Sequence, residues 1–156
     1  MIDGVKITKL KRFKDERGEI RHAFKSGEDT YEGFGEAYFS TVNSGVVKGW
    51  KKHHQMHSNL IVVTGTIRFG LVDTRSGSST YGQRMDLVQS LDNYSRLTVP
   101  PGLWIAFQGL GPDNNLLLNI ANIAHDPIES ETIPVDSKKA TAAGLPQWVE
   151  FCRRDE

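Results

Sequence analysis

The sequence predicts an all-β domain of sandwich or barrel type. Short runs rich in Val, Ile, Thr, Phe and Tyr recur at intervals of roughly ten residues, and no long segment between them repeats its apolar residues with a period of 3.6. Fifteen glycines, nearly one residue in ten, are spread along the 156 residues and mark many tight turns. In chain order, Val5-Lys6-Ile7-Thr8-Lys9-Leu10 alternates with period two as a half-buried strand does, and Arg12 to Gly18 reads as a polar turn. Ala37 to Val42 is strand-like, Asn43-Ser44-Gly45 is its turn, and Val46 to His53 resumes extended character. Asn59 to Val63 and Thr66 to Val72 flank Thr64-Gly65, the clearest hairpin signal in the chain. Further strands are expected at Met85–Val88, Tyr94–Val99, Trp104–Gln108 and Leu116–Ile123, each bounded by Gly, Pro, Asn or Asp. The tail differs: Ser137 to Leu145 is polar and alanine-rich, and Gln147 to Arg154 suits a short helix that docks Trp148, Val149 and Phe151 on the sheet. Residues 1–136 are thus expected to form the domain, with 137–156 packed on it as a tail.

The size of 17.4 kDa fits one domain that buries enough surface to need neither disulfides nor a structural metal. The single cysteine, Cys152, allows no internal bridge and suits the reducing cytoplasm. Nineteen basic residues balance nineteen acidic ones, so no global field draws nucleic acid or an anionic membrane. Nowhere do about eighteen apolar residues run together, as a spanning helix would require.

The densest polar constellation is Lys48-Gly49-Trp50-Lys51-Lys52-His53-His54-Gln55-Met56-His57. On a strand, Lys51 and His53 share one face. If that face lines a cavity, a cation and an imidazole project into it together, where burial lowers both pKa values and an anionic ligand raises them. Such a pair suits acid–base chemistry beside an anion or a carbonyl; the alternative is a solvated strand edge. Metal chemistry is disfavoured, because His54 stands where the zinc-peptidase spacing His53-xxx-His57 needs a glutamate. Cys152 has no local histidine partner, and neither a nucleophile elbow nor a phosphate-binding glycine loop occurs.

Four segments in order resemble the dTDP-4-dehydrorhamnose 3,5-epimerase family of cupins and its shorter sugar-epimerase relatives. Phe13-Lys14-Asp15-Glu16-Arg17-Gly18 is similar to that family's Phe-x-Asp-x-Arg-Gly signature, and Asn43 to Trp50 to the strand leading into its catalytic histidine. Val72-Asp73-Thr74-Arg75 and Val99-Pro100-Pro101-Gly102 match its Val-Asp-x-Arg segment and Pro-x-Gly turn. The resemblance covers roughly residues 5 to 136 and implies a cupin jelly-roll barrel. It also implies a homodimer, and a nucleotide-linked 4-keto-6-deoxy sugar as substrate. In that chemistry the C4 carbonyl acidifies the hydrogens at C3 and C5, a base removes one, and the enolate is reprotonated from the opposite face without a cofactor.

Carried over residue by residue, the resemblance implies that Arg17 contacts the nucleotide and that Lys48 replaces a diphosphate-binding arginine. The family's catalytic histidine falls on Lys51; His53, one pleat further on, is expected as the base, with Lys51 steadying the enolate or diphosphate. Asn59 is expected to bond the C4 oxygen, and Trp104 to line the substrate or else to pack as a wall aromatic. The family's acid, a tyrosine expected a few residues before Pro127, is missing there, which leaves His125 as a substitute donor. Asp136 is the expected partner of the base, and Ile105 stands where metal-binding cupins have a histidine, so no metal is expected. The implied role is inversion at C3, and at C5 as a further option, in surface polysaccharide (O-antigen) synthesis inside the cytoplasm. Two alternatives stay open: a 3,4-ketoisomerase on the same scaffold, and a non-catalytic sugar-binding cupin.

Overall fold

The computed structural model describes residues 1–149. Two five-stranded antiparallel sheets pack face to face as a jelly roll, each hydrogen-bonded within itself. The first has the order β1 (Lys6–Lys9), β9 (Ser95–Val99), β6 (Ser58–Thr64), β11 (Asn115–Ala121), β4 (Glu36–Val42). The second runs β12 (Ser130–Thr132), β5 (Val47–His53), β10 (Leu103–Gly109), β7 (Thr66–Asp73), β8 (Arg84–Ser90). The core between them takes Val42, Leu60, Val62, Leu97 and Leu117 from the first sheet and Ile67, Phe69, Leu71 and Leu103 from the second. Within each strand these residues alternate with the outward-facing ones, which fixes the register.

Both outer faces are also covered. Arg96 projects outward from β9, fully buried, and donates to the Ala23 carbonyl and the Thr30 hydroxyl at 2.9 and 2.8 Å while its guanidinium lies 4.2 Å from the Phe24 ring. It ties the segment that precedes β4, from Ala23 to Thr30, over the first sheet. On the second sheet Trp50, Val72, Trp104 and Ala106 face outward and are covered by Ala140 of helix α1 (Lys138–Ala142), Leu145 and Trp148. The rings of Trp50 and Trp148 meet edge to face at 5.9 Å.

Two local expectations are corrected. Thr64-Gly65 does not close a hairpin: β6 and β7 lie in different sheets, so the dipeptide is a corner between them. At that corner the Thr66 amide donates to the Asn115 side chain at 2.9 Å, and Gly65 adopts φ +78 where a Cβ would stand 2.5 Å from the same oxygen. The polar turn at Arg12 to Gly18 is the tip of a separate hairpin, β2 (Arg12–Asp15) and β3 (Gly18–Arg21), whose side chains are mostly exposed and therefore show little apolar alternation. In the tail, the regular helix lies at Lys138–Ala142, capped by the Ser137 hydroxyl. Most of the helix expected from Gln147 to Arg154, and Cys152 with it, lies outside the described residues.

Trp148→Ala removes the ring that seals Trp50. The variant should lose about 3 kcal/mol or more of unfolding free energy in urea.

Candidate active site

The site is built around an irregularity in β5. Its pairing with β10 matches Lys51 to Ile105 and Lys48 to Phe107, so three steps along β5 answer two along β10. This β-bulge turns Lys48 and Lys51 to the same inward face although their spacing is odd, while Trp50 goes outward into the second core cluster. Gly49 makes the bulge possible, because at φ +122 a Cβ there would lie 2.8 Å from the Ala106 backbone. Lys51 then lines a cavity of about 240 Å³ between the sheets, with Lys48, Leu60, Phe107 and Thr132. Tyr38 and Asn119 close it from the first sheet.

His53 follows Lys51 on the same face and is held on both edges of its strand. Its carbonyl accepts from the Gly102 amide at 2.7 Å, and its backbone pairs with Ser130 of β12. The imidazole is nearly buried, and its Nδ1 lies 2.6 Å from Glu129 Oε2. The other carboxylate oxygen, Oε1, accepts from the Gln55 and Met56 amides at 2.7 and 2.8 Å. Burial by itself would raise the Glu129 carboxyl, but these amides and the His53 ring outweigh it and hold its pKa at about 2. For His53, burial dominates and pushes the imidazole below its ordinary value; Lys51 and His125 act in the same direction, and Glu129 only partly opposes them. The pair at neutral pH is therefore a carboxylate and a neutral imidazole. Glu129 engages Nδ1, which leaves Nε2 as the nitrogen able to take a proton.

The other expected residues are placed as follows. Lys48 reaches across the cavity rim to the first sheet, donating to the Ser40 hydroxyl at 3.1 Å and the Thr41 carbonyl at 2.6 Å. His125 is exposed in the loop before the short 3₁₀ turn Pro127–Glu129, and its charge is felt at His53. Arg17 stands at the tip of the β2–β3 hairpin, paired to Asp15 at 2.6 Å, and does not line this cavity. Asn59 points to the outer face of β6, where it accepts from Thr98 at 2.8 Å and donates to the Ile120 carbonyl at 3.1 Å; Leu60 lines the cavity in its stead. Trp104 likewise faces outward, beneath the Lys52 ammonium at 4.7 Å and within the tail-covered cluster. Asp136 accepts from the Trp148 amide at 2.6 Å, so the carboxylate paired with His53 is Glu129, which the sequence reading missed. The Val72-Asp73-Thr74-Arg75 segment is a structural clasp: Asp73 accepts from Arg75, Ser78 and Thr80. Among the described residues no three His, Cys, Asp or Glu side chains converge in a way that would hold a metal.

The chain matches the family model of dTDP-4-dehydrorhamnose 3,5-epimerase over residues 1–155. The chain belongs to that family. Among solved structures it is similar to a dTDP sugar isomerase from Desulfovibrio desulfuricans, with a TM-score of 0.84, 33% identity and 87% of each chain covered. It is 30% identical over 139 residues to a probable low-salt glycan biosynthesis epimerase of Haloferax volcanii, covering 86% of this chain and 89% of the relative. It is also 29% identical over 140 residues to the spore coat polysaccharide biosynthesis protein SpsL of Bacillus subtilis, covering 88% and 93%. The cupin jelly roll and an isomerase activity of the sugar-epimerase type accompany membership of the family.

Two outcomes follow from the His53–Glu129 pair. Glu129→Gln can still accept from both backbone amides, but its side-chain N–H would face Nδ1 and force the ring proton onto Nε2; kcat/KM should fall about 10²- to 10⁴-fold with the fold retained. Because folding lowers the His53 pKa, the unfolded chain takes up that proton first as pH falls, so this residue costs stability below about pH 6.5. Glu129 contributes in the other sense, with stability present above the ordinary carboxylate pKa and lost as pH falls towards about 2. In the wild type, the acid limb of kcat/KM should lie below the ordinary histidine value, which a pH–rate profile measures.

Proposed function

We propose that this protein inverts C3, with C5 as a further option, of a nucleoside-diphosphate-linked 4-keto-6-deoxyhexose. The observation that carries the reading is the neutral imidazole of His53, oriented by the buried Glu129 carboxylate and one pleat along the same strand face from Lys51, which lines the cavity between the sheets. His53 Nε2 removes the hydrogen next to the C4 carbonyl, and Glu129 stabilises the imidazolium that forms. Lys51 offers its ammonium to the enolate oxygen, and Lys48 stands at the rim where a diphosphate would lie. The family description favours a dTDP-linked sugar. The glycan and spore-coat relatives favour a role in polysaccharide synthesis, and O-antigen assembly is one such use.

The protein is further proposed to act as a cytoplasmic homodimer. Among the described residues no helix is long and apolar enough to cross a membrane. Phe13 and Ile20 on the hairpin and Phe39 on β4 are more than half exposed, an apolar surface that a second copy would cover. Arg17, on the same hairpin, lies outside the cavity of its own chain, so a nucleotide contact from it is best made across such an interface. Light scattering after size exclusion should give twice 17.4 kDa.

The deciding experiment is proton NMR of dTDP-4-keto-6-deoxyglucose with the protein in deuterium oxide, alongside His53→Asn. Deuterium should enter C3, or C3 and C5, without migration of the carbonyl, and the variant should exchange about 10²-fold or more slowly. Carbonyl migration would point to a ketoisomerase; binding without exchange would replace the enzyme with a binding module.

A further inference from the structure

Inversion requires the returning proton to reach the face of the sugar opposite the base. His53 and Lys51 belong to β5 in the second sheet and Lys51 lines the cavity, so the opposite face of a sugar held there meets the first sheet. Two side chains of that sheet that line the cavity carry a hydroxyl, Tyr38 and Ser40. Ser40 accepts the Lys48 ammonium at the rim and is the weaker acid of the two. Tyr38 faces the cavity from β4, and the register of β4 with β11 sets it directly opposite Asn119. The Asn119 amide donates to Tyr38 Oη at 3.0 Å. The phenol oxygen is thereby an acceptor from the protein, and its own proton is available to the cavity. Asn119 is buried, and its Oδ1 meets no hydrogen-bond partner, an acceptor that a sugar hydroxyl can satisfy. His125 is exposed in the loop before the 3₁₀ turn and does not line the cavity.

We propose that Tyr38 is the proton donor on the face of the sugar opposite His53, with Asn119 positioning its hydroxyl, an assignment that rests on the epimerase reading. The step balances without a further reactant. His53 Nε2 takes the proton from carbon, the C–H electron pair enters the enolate, and the C4 oxygen gains the negative charge. The enolate then uses its carbon–carbon π pair to form a C–H bond with the Tyr38 proton, and the C4 carbonyl reforms. Tyr38 is left as a phenolate, supported by the Asn119 N–H, and regains a proton from solvent as His53 gives one up.

The test is Tyr38→Phe with dTDP-4-keto-6-deoxyglucose in deuterium oxide, reading deuterium at C3 and C5 separately from the amount of inverted product. The variant keeps the ring and changes only the hydroxyl, and its thermal midpoint reports that it is folded. The expected result is deuterium entry within a few-fold of wild type, through abstraction and return on the His53 face, with inversion slowed about 10²-fold or more. Inversion at the wild-type rate would overturn the assignment, as would an equal loss of exchange and inversion in the folded variant. A wild type that exchanges nothing would overturn the epimerase reading and this proposal together, a pattern distinct from either failure of Tyr38 alone.

Discussion

A carboxylate removed from water must be met by donors on every side, and Glu129 meets that condition with two backbone amides and one imidazole. The rest of the site hangs on this arrangement. The Gln55 and Met56 amides belong to the turn that leaves β5, so the carboxylate fixes where that strand ends. The His54 amide donates to the Glu129 carbonyl at 2.9 Å, and the next residue, Ser130, starts β12 and pairs with His53. The edge strand of the second sheet and the orientation of the His53 imidazole are thus one network. The Gly102 amide completes it from the other side, which gives the Pro100-Pro101-Gly102 turn a direct purpose: it holds the backbone of His53.

Charge explains why a lysine can stand beside the base. An ammonium near an imidazole disfavours the imidazolium, and burial works in the same sense, so the resting histidine is neutral and able to accept a proton. Binding an anionic substrate reverses the balance. A diphosphate at Lys48 and an enolate at Lys51 offset the two cations, and the imidazolium formed by proton abstraction then sees Glu129 and the enolate more than it sees Lys51. In the proposed reaction, basicity at His53 therefore rises as negative charge develops on the sugar. The lysine that departs from the family's histidine position supplies part of that coupling.

The strands were legible because each sheet has an apolar inner face, and Val42, Leu60, Val62, Leu97 and Leu117 show it clearly. That Lys51 and His53 share one face could be read from parity alone. Parity failed where both faces are buried. Asn59 and Trp104 were expected in the site, yet both face outward and are buried there, Asn59 bonded to Thr98 and Trp104 beneath a tail that no local pattern announces. It also failed at the bulge, since Lys48 and Lys51 are three apart and a regular strand would turn them to opposite faces. Glu129 left no signal of its own: it is a single carboxylate in a short turn, 76 residues from His53 in sequence, and only the tertiary pairing of β12 with β5 brings them together. The contact of Tyr38 with Asn119 likewise left no local signal, because it spans 81 positions.

The division of the site between two sheets has a consequence for specificity. A cavity of about 240 Å³ lies below the range that encloses a drug-sized ligand, so it suits a sugar ring and leaves a nucleotide over the rim. In the proposed reaction the inner residues would set which carbon is deprotonated and from which face, and the rim, with any second copy, would set which nucleotide is accepted. The inner set rests on rigid strands clamped by Glu129 and Gly102. The rim set rests on an exposed hairpin whose arginine is committed to a neighbouring aspartate until something displaces it. Surface ion pairs of that kind contribute little to stability, so Arg17 can exchange Asp15 for a phosphate at small cost. Chemistry and nucleotide choice are in this way carried by parts of the fold that can vary separately.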